Sequence, residues 1–365
     1  MTANLDRPTW EFDGSTKVLL EERVDLNREQ PPSLARRYLL LVVKLTVTLG
    51  ILTLLFFRIN LSEVGKILLT SRYDYLLVAL GIQLSLAIIS AAKLHLLLRV
   101  YGLLYPVRVI YLLNLIASFY SLFLPGTLLG GVVKWYRLSR TAGSKAQVMS
   151  GMVMDQLSHH AMILILGLLA LGLAISQGIV TSRLVYAVIL LLGATFLFLL
   201  VVLNKRVSEI VERVGRLALA WDPPGLLIRA VENIWSALTA YQEHKSVLVK
   251  VFGLALVYEV LTFFVGYVVA RSINLGIELL QLVWILALVT IVRSIPISIA
   301  GLGVREGAFV FFFSLVGFSM EQAISYSLLG FALTVVVSLV GGLIEGWSAL
   351  SSRKFYELPN LESQK

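Results

Sequence analysis

The sequence contains no cysteine and little charge. With no cysteine among 365 residues, disulfides, thiolate nucleophiles and thiolate metal sites are excluded. Only 15% of the residues are charged and 58% are hydrophobic, whereas soluble globular proteins carry about a quarter charged residues. The composition therefore excludes a soluble protein and predicts an all-α chain whose helices lie in a bilayer.

Several short motifs of enzymes are also absent. There is no Gly-x-x-x-x-Gly-Lys-Ser/Thr loop for ATP and no Gly-x-Ser-x-Gly nucleophile elbow. The glycines of residues 301–307 have the wrong spacing for a dinucleotide fingerprint, and they follow no predicted strand. With four histidines and no cysteine, a metal site is not expected. We predict no cofactor.

The net charge of +9 comes from basic residues in short loops between apolar segments. This pattern orients membrane proteins and favours anionic lipid surfaces, so we predict no nucleic-acid partner. Residues 1–36 are polar and have no apolar core near Met1, so they do not resemble a signal peptide. We expect them to form a cytosolic tail, in which Pro31 and Pro32 break any helix just before the first membrane segment.

Six segments are apolar enough to cross a bilayer, which takes about 20 apolar residues per helix. We predict these crossings at residues 38–57, 73–100, 147–175, 184–203, 246–271 and 321–350. The short amphipathic segment 61–69 is expected at the outer surface. Arg36 and Arg37 before the first crossing, and Arg353 and Lys354 after the last, place both termini in the cytosol.

Two further apolar segments are interrupted by proline and glycine. The first, residues 108–140, breaks at Pro125 and has basic residues on both flanks, so we predict a re-entrant hairpin from the cytosolic side. The second, residues 279–317, breaks at Pro296 and is predicted to enter from outside. Broken backbone at this depth must be covered by protein or line a watery cavity. The prediction is six crossings plus two opposed hairpins, which can also be counted as eight membrane segments.

The remaining boundaries follow from these segments. The membrane domain is predicted at residues 37–350, with a cytosolic tail at 351–365. Residues 204–245 are basic and have helical apolar spacing. They are either a helix pair at the membrane interface or a solvated connector.

The two breaks share a spacing that suggests an internal repeat. Pro125 precedes Gly130 by five residues, and Pro296 precedes Gly301 by five. In an inverted repeat, two such broken helices meet near the bilayer midplane, and their N-termini attract anions. Each break also carries a Gly-x-x-x-Gly pair, residues 126 and 130 and residues 303 and 307. The alternative is that these glycines only let helices pack closely.

Ionisable residues inside membrane segments are candidates for function, because burying each costs about 2.5 to 3.5 kcal/mol. The candidates are Asp155, His159, Glu259, Arg293, Arg305, Glu306 and Glu345. Arg305 and Glu306 are helical neighbours about 100° apart, so we expect that one does not neutralise the other. Arg305 is predicted to hold a phosphate, and Glu306 either to order the site or to contact a cationic head group. The alternative is an ion pair of Glu306 with Arg293.

The other charged residues have two interpretations each. Arg293, Lys134 and Arg137 either contact the ligand or extend to a membrane interface. Asp155 and His159 are four residues apart on one helical face, which suits either a proton relay or a structural hydrogen bond. The isolated Glu259 and Glu345 receive no role.

Two motifs resemble those of a known family. Residues 295–307 read Ile-Pro-Ile-Ser-Ile-Ala-Gly-Leu-Gly-Val-Arg-Glu-Gly, and residues 124–131 read Leu-Pro-Gly-Thr-Leu-Leu-Gly-Gly. Both resemble the flippase-like transmembrane domain of lysylphosphatidylglycerol synthases and its stand-alone relatives, over residues 38–350. The resemblance implies movement of lipids or lipid-linked glycans between leaflets. The inverted repeat itself predicts a substrate site around the two breaks, at Pro125, Gly130, Gly131, Pro296, Gly301, Gly303 and Arg305.

The chain departs from the family pattern in its first half. Val132 and Lys134 stand where many relatives carry an acidic residue and then an arginine, and Asp155-Gln156 replaces an acidic-arginine pair. Some family members carry a C-terminal soluble domain that aminoacylates phosphatidylglycerol. This chain ends soon after Leu350, so we expect no transferase activity and a lipid that is made by a separate enzyme.

Three functions remain open at this point. The first is a lipid translocator of the plasma (inner) membrane for an anionic or modified head group. The second is a membrane enzyme acting on lipid or polyprenyl phosphates, with Asp155, His159 or Glu306 as acid or base. The third is a non-catalytic partner of a lipid-modifying enzyme. Chemical turnover of a lipid indicates the enzyme, and exchange without chemical change indicates the translocator.

Overall fold

The computed structural model describes residues 60–123, 129–140, 145–176, 178, 197, 233–294 and 303–350. Every regular element in these residues is helical. The longer helices are α1 (Leu61–Leu69), α2 (Tyr73–Arg99), α3 (Val107–Phe123), α4 (Leu129–Ser139), α5 (Lys145–Ser176), α6 (Lys245–Ser272), α7 (Leu279–Ser294), α8 (Val304–Leu315) and α9 (Met320–Leu350). Before α6, residues 233–239 are helical and continue into a 3-10 turn, Ala240–Glu243.

Several predicted features lie outside the described residues. They are the crossings at 38–57 and 184–203, the tails 1–36 and 351–365, most of the segment 204–245, and the break residues Pro125, Gly126, Pro296 and Gly301.

Four helices, α2, α5, α6 and α9, are long and apolar enough to cross a membrane. They correspond to four of the six predicted crossings, and their ends lie within a few residues of the predicted ones. The short helix α1 is also present, and it begins where the Asn60 side chain accepts hydrogen bonds from the backbone N–H groups of Ser62 and Glu63. The prediction of a helical polytopic membrane protein is confirmed.

The helix order occurs twice in the chain. The helices α2, α3, α4 and α5 have 27, 17, 11 and 32 residues, and α6, α7, α8 and α9 have 28, 16, 12 and 31. The packing repeats as well, because α3 packs against α9 while its counterpart α7 packs against α5. The helices α2 and α6 pack against each other at the centre. The described helices thus form two similar halves, each with a broken pair in its middle.

Glycines permit the closest approach at two equivalent crossings of these halves. A Cβ atom added to Gly167 on α5 would collide with the Cβ of Ala287 on α7. A Cβ added to Gly341 on α9 would collide with the carbonyl group of Leu115 on α3. Small residues at such positions allow membrane helices to approach closely.

Each broken pair is supported by its own apolar cluster. Trp284, Phe309, Phe313 and Tyr326 are buried in the cluster around α7 and α8. Leu94, Leu98, Ile110 and Leu138 belong to the cluster around α3 and α4. Polar side chains from both broken pairs line a common cavity.

Candidate functional site

A cavity of about 900 Å³ lies among helices α2 to α7 and reaches α9. A second cavity, of about 380 Å³, adjoins it and extends to α8 and α9. The two share several lining residues, including Gln83, Ser118, Ser121, Thr262 and Arg293. Small-molecule sites typically have volumes of about 300 to 1,000 Å³, so the larger cavity has room for a lipid head group.

The described lining of both cavities is mixed apolar and polar, and its lysine and arginine side chains give it one sign of charge. Its permanent cations are Lys134, Arg293 and Arg305, and it includes no aspartate or glutamate. The hydroxyl and amide groups that line the larger cavity belong to Gln83, Ser90, Asn114, Ser118, Ser121, Gln156, Tyr258, Thr262 and Thr290. A cleft with cations and no lining carboxylate attracts an anion.

Lys134 on α4 has a neutral partner. Its Nζ donates to the amide oxygen of Asn114, 3.1 Å away. The Asn114 amide nitrogen in turn donates to Ala87 and Ser90 on α2, at 3.4 Å each. These two bonds leave the amide oxygen facing the lysine. An ammonium has three donors, and no described carboxylate forms an ion pair with this one. Lys134 is therefore able to hold an anion in the cavity.

Arg293 lies at the end of α7, immediately before the second break. Its side chain is exposed to the cavity space and lines both cavities. No hydrogen bond or ion pair joins it to another residue in the described part of the chain. A guanidinium presents five donors in a planar fork that matches a phosphate, so Arg293 has the chemistry of an anion ligand.

Arg305 and Glu306 bond to each other, which corrects the sequence-based expectation. The Arg305 Nε donates to Glu306 Oε1 at 2.9 Å and to Ser327 Oγ at 3.0 Å, and the guanidinium lies 4.7 Å from the centroid of the Phe331 ring. The expectation rested on the directions of the two Cα–Cβ bonds. It was wrong because the long arginine side chain folds back to the adjacent carboxylate. The alternative pair of Glu306 with Arg293 is not observed either.

Glu306 also shapes the start of α8. Its Oε2 accepts a hydrogen bond from the backbone N–H of Gly303 at 2.7 Å, as an acidic residue in the first turn commonly does. Both carboxylate oxygens are thus engaged, and the Arg305 and Glu306 side chains are nearly buried, at 9% and 7% exposure. This pair stabilises the end of the second break.

Asp155 and His159 have separate partners rather than each other. Asp155 Oδ1 lies 3.0 Å from the Nζ of Lys93 on α2. The Nδ1 of His159 hydrogen-bonds to Glu259 Oε1 on α6. Residues four apart lie close on a helix, but here the neighbouring helices offer charged partners.

Glu345, which received no role from the sequence, pairs with Arg137. Arg137 Nη1 donates to Glu345 Oε2 at 3.0 Å, and the Tyr120 hydroxyl donates to Glu345 Oε1 at 3.1 Å. Arg137 is therefore held by a carboxylate and does not line either cavity. A carboxylate in an apolar helix signals the need for a cation, but the cation is 208 residues away in sequence.

The glycines near the breaks have different roles. Gly303 has φ of +80°, a conformation that disfavours side chains. A Cβ added to Gly307 would meet open space, whereas a Cβ added to Gly130 would collide with the carbonyl oxygen of Ala117. Close packing therefore applies to Gly130, where α3 and α4 meet, and not to Gly307.

Replacing Gly130 by alanine is expected to separate α3 from α4. The added methyl group collides with backbone on α3, and overpacking of this kind costs about 1 to 3 kcal/mol. Gly131→Ala is the matched control, since its new Cβ would meet only the end of Met152, 3.9 Å away. Thermal unfolding of the purified variants measures the difference. Equal melting temperatures for both would contradict the close approach of α3 and α4.

The sequence was also compared with known proteins. A family model described as the lysylphosphatidylglycerol synthase TM region matches residues 41–342. The match includes both broken helix pairs and every described residue that lines the two cavities. No curated protein and no solved structure matches the sequence.

Proposed function

Because this chain belongs to the lysylphosphatidylglycerol synthase transmembrane family, a membrane family linked to lipids, we propose that it moves an anionic phospholipid head group between membrane leaflets. The observation that carries the proposal is the cavity of about 900 Å³ with Lys134 and Arg293 in its wall and no carboxylate among its described lining. An apolar bilayer opposes the passage of a charged head group, and a polar cavity among membrane helices lowers that barrier.

Lys134 and Arg293 are the proposed phosphate ligands. Neither has a carboxylate partner among the described residues, and they come from the first and the second broken pair respectively. The surrounding serine, threonine and amide groups suit the hydroxyls of a glycerol or sugar head group. Arg305, held by Glu306 and Ser327, is proposed to position the second break. The break residues Pro125, Gly130, Gly131, Pro296, Gly301 and Gly303 are proposed to bring helix N-termini to this site.

The two similar halves support the proposal of opposed hairpins. Six crossings, with one hairpin entering from each face, would place both termini on the cytosolic side of the plasma (inner) membrane. In inverted repeats the two halves rock against each other and expose one site to alternate sides. The site between the halves would then serve both leaflets.

This topology predicts opposite labelling of two single cysteines. Arg140 follows the first hairpin and Gly276 precedes the second, and both residues are exposed. In right-side-out vesicles, a membrane-impermeant maleimide is expected to label Gly276→Cys from outside and Arg140→Cys only after the membrane is opened. The chain has no native cysteine, so labelling of the unsubstituted protein measures the background. Labelling of both from one side would contradict the opposed hairpins.

Lipid exchange in proteoliposomes tests the proposed function. Purified protein is reconstituted with a trace of head-group-labelled phosphatidylglycerol or phosphatidylcholine, and an impermeant quencher reports how fast the inner label becomes accessible. We expect faster exchange of the anionic lipid than in protein-free vesicles and than of the zwitterionic one. Equal rates with and without protein would exclude translocation of phosphatidylglycerol.

The same vesicles separate translocation from the enzyme interpretation. Asp155 is paired with Lys93, and both oxygens of Glu306 accept hydrogen bonds, so these two groups are committed to neighbours, which favours translocation. Mass spectrometry of the lipid after exchange is expected to show the starting lipid. A chemically altered lipid would support the enzyme.

A further inference from the structure

Glu259 differs from the other paired carboxylates of the described membrane helices. Asp155, Glu345 and Glu306 each have a lysine or arginine partner. Glu259 is fully buried, its partner is His159, and its Oε2 has no hydrogen-bond partner among the described residues. An ionised carboxylate in such a place is costly without a cation. Its charge is therefore tied to a group that can gain or lose a proton.

His159 connects this carboxylate to the cavity. It lines the cavity of about 900 Å³, and its side chain is 24% exposed while that of Glu259 is 0% exposed. Its Nδ1 faces Glu259, so its Nε2 is the atom at which a proton enters or leaves. The His159 and Tyr258 rings form a T-shaped contact at a centroid distance of 5.6 Å, which helps to hold the imidazole in this orientation.

We propose that the His159 and Glu259 pair is a proton-binding site that takes up one proton when an anionic head group enters the cavity and releases it when the head group leaves. This inference rests on the proposed function and adds a coupling ion to it. In the loaded state the imidazolium and the carboxylate form a neutral pair. On release the proton leaves from Nε2 to cavity water, and the neutral imidazole continues to donate from Nδ1 to the carboxylate.

The neighbouring charges give this coupling its direction. Without a head group, Lys134 and Arg293 leave positive charge in the cavity, which favours the pair without its proton and with a net charge of −1. A bound phosphate neutralises those cations and removes that effect, so the pair gains a proton. Because such coupling is reciprocal, the anionic lipid binds more tightly as the pH falls.

Several other titratable groups on the helices around the pair have partners of their own. Lys93 and Asp155 neutralise each other, and the His160 Nδ1 lies 2.9 Å from the carbonyl oxygen of Gln156 on its own helix. The charged and titratable groups that face the pair are Lys93 from α2, Lys134 from α4, Asp155 and His160 from α5, Tyr258 from α6 and Arg293 from α7. Of this arrangement, only the pair joins a fully buried carboxylate to an imidazole.

Proton uptake on lipid binding tests the proposal. The full chain in a non-ionic detergent is mixed with short-chain phosphatidylglycerol in weakly buffered solution, and a pH indicator counts protons. The expected uptake approaches one proton per bound lipid in the wild type. It is expected to vanish in Glu259→Gln and His159→Gln, which keep a hydrogen-bonding side chain of similar size. His244→Gln, at an exposed histidine outside the cavity, is the matched control and is expected to retain the wild-type count.

The outcomes separate the inference from the function on which it rests. Binding without uptake, or uptake that persists in Glu259→Gln, would overturn the proton site and leave translocation standing. If the wild type binds no phosphatidylglycerol, a pH-difference infrared spectrum still reports on the pair. A carboxyl or imidazole band that changes with pH and is lost in Glu259→Gln but kept in His244→Gln supports the site. A spectrum unchanged by Glu259→Gln refutes it.

Discussion

Exchange of phosphatidylglycerol is expected to slow by about 10- to 150-fold when Arg293 is replaced by glutamine, while the protein stays folded. A hydrogen bond to a charged group contributes about 1.5 to 3 kcal/mol, which corresponds to that range of rates. Folding should not suffer, because Arg293 has no carboxylate partner among the described residues and removing it leaves no buried charge unpaired. Arg293→Lys keeps the charge without the planar fork, so its exchange rate should lie between those of the wild type and Arg293→Gln.

Arg271→Gln is the matched control for this change. Arg271 is exposed at the end of α6, where it donates to the Tyr267 hydroxyl and lines neither cavity. Its replacement is expected to leave exchange at the wild-type rate. Lys134→Gln should act in the same direction as Arg293→Gln, since both groups are assigned to one phosphate. Wild-type exchange by well-folded Arg293→Gln protein would remove Arg293 from the site.

The largest loss of stability is expected when one partner of the buried Arg305 and Glu306 pair is replaced. Arg305→Met leaves the Glu306 carboxylate buried without its cation, and Glu306→Gln leaves Arg305 without its anion. Breaking a buried ion pair in this way costs about 3 to 5 kcal/mol. The double variant removes both charges together and is expected to recover much of the loss. Melting temperature and the yield of monodisperse protein in detergent measure these differences.

The same set of variants separates structure from ligand binding. If Arg305 were the phosphate ligand, Arg305→Met would melt like the wild type and lose exchange. The hydrogen bonds of Arg305 to Glu306 and Ser327 predict instead a fall in melting temperature. Two stable single variants would contradict the structural role that the geometry gives this pair.

Much of the architecture could be predicted from local sequence. A run of apolar residues as long as the bilayer is thick has to be a helix, because a buried backbone must satisfy its own hydrogen bonds. The ends of α2, α5, α6 and α9 therefore lie near the predicted ones. The repeat was visible in the spacing of prolines and glycines, and in the structure it appears as matching helix lengths and matching packing.

The partners of the charged residues were the part that sequence did not predict. Glu259 pairs with a histidine 100 residues away, and Glu345 with an arginine 208 residues away. Helical periodicity relates residues three or four apart and contains no information about which helices become neighbours. It therefore suggested Asp155 with His159 and separated Arg305 from Glu306, and both suggestions failed against the observed contacts.

The sequence by itself determined that this chain is a helical membrane protein with two broken segments, because hydropathy and proline act on the backbone locally. It also determined the family, through motifs that are continuous in the chain. The tertiary structure decided which cations are neutralised and which face the cavity without a carboxylate. That distinction depends on distances of about 3 Å between side chains on different helices, and such distances exist only once the helices have packed.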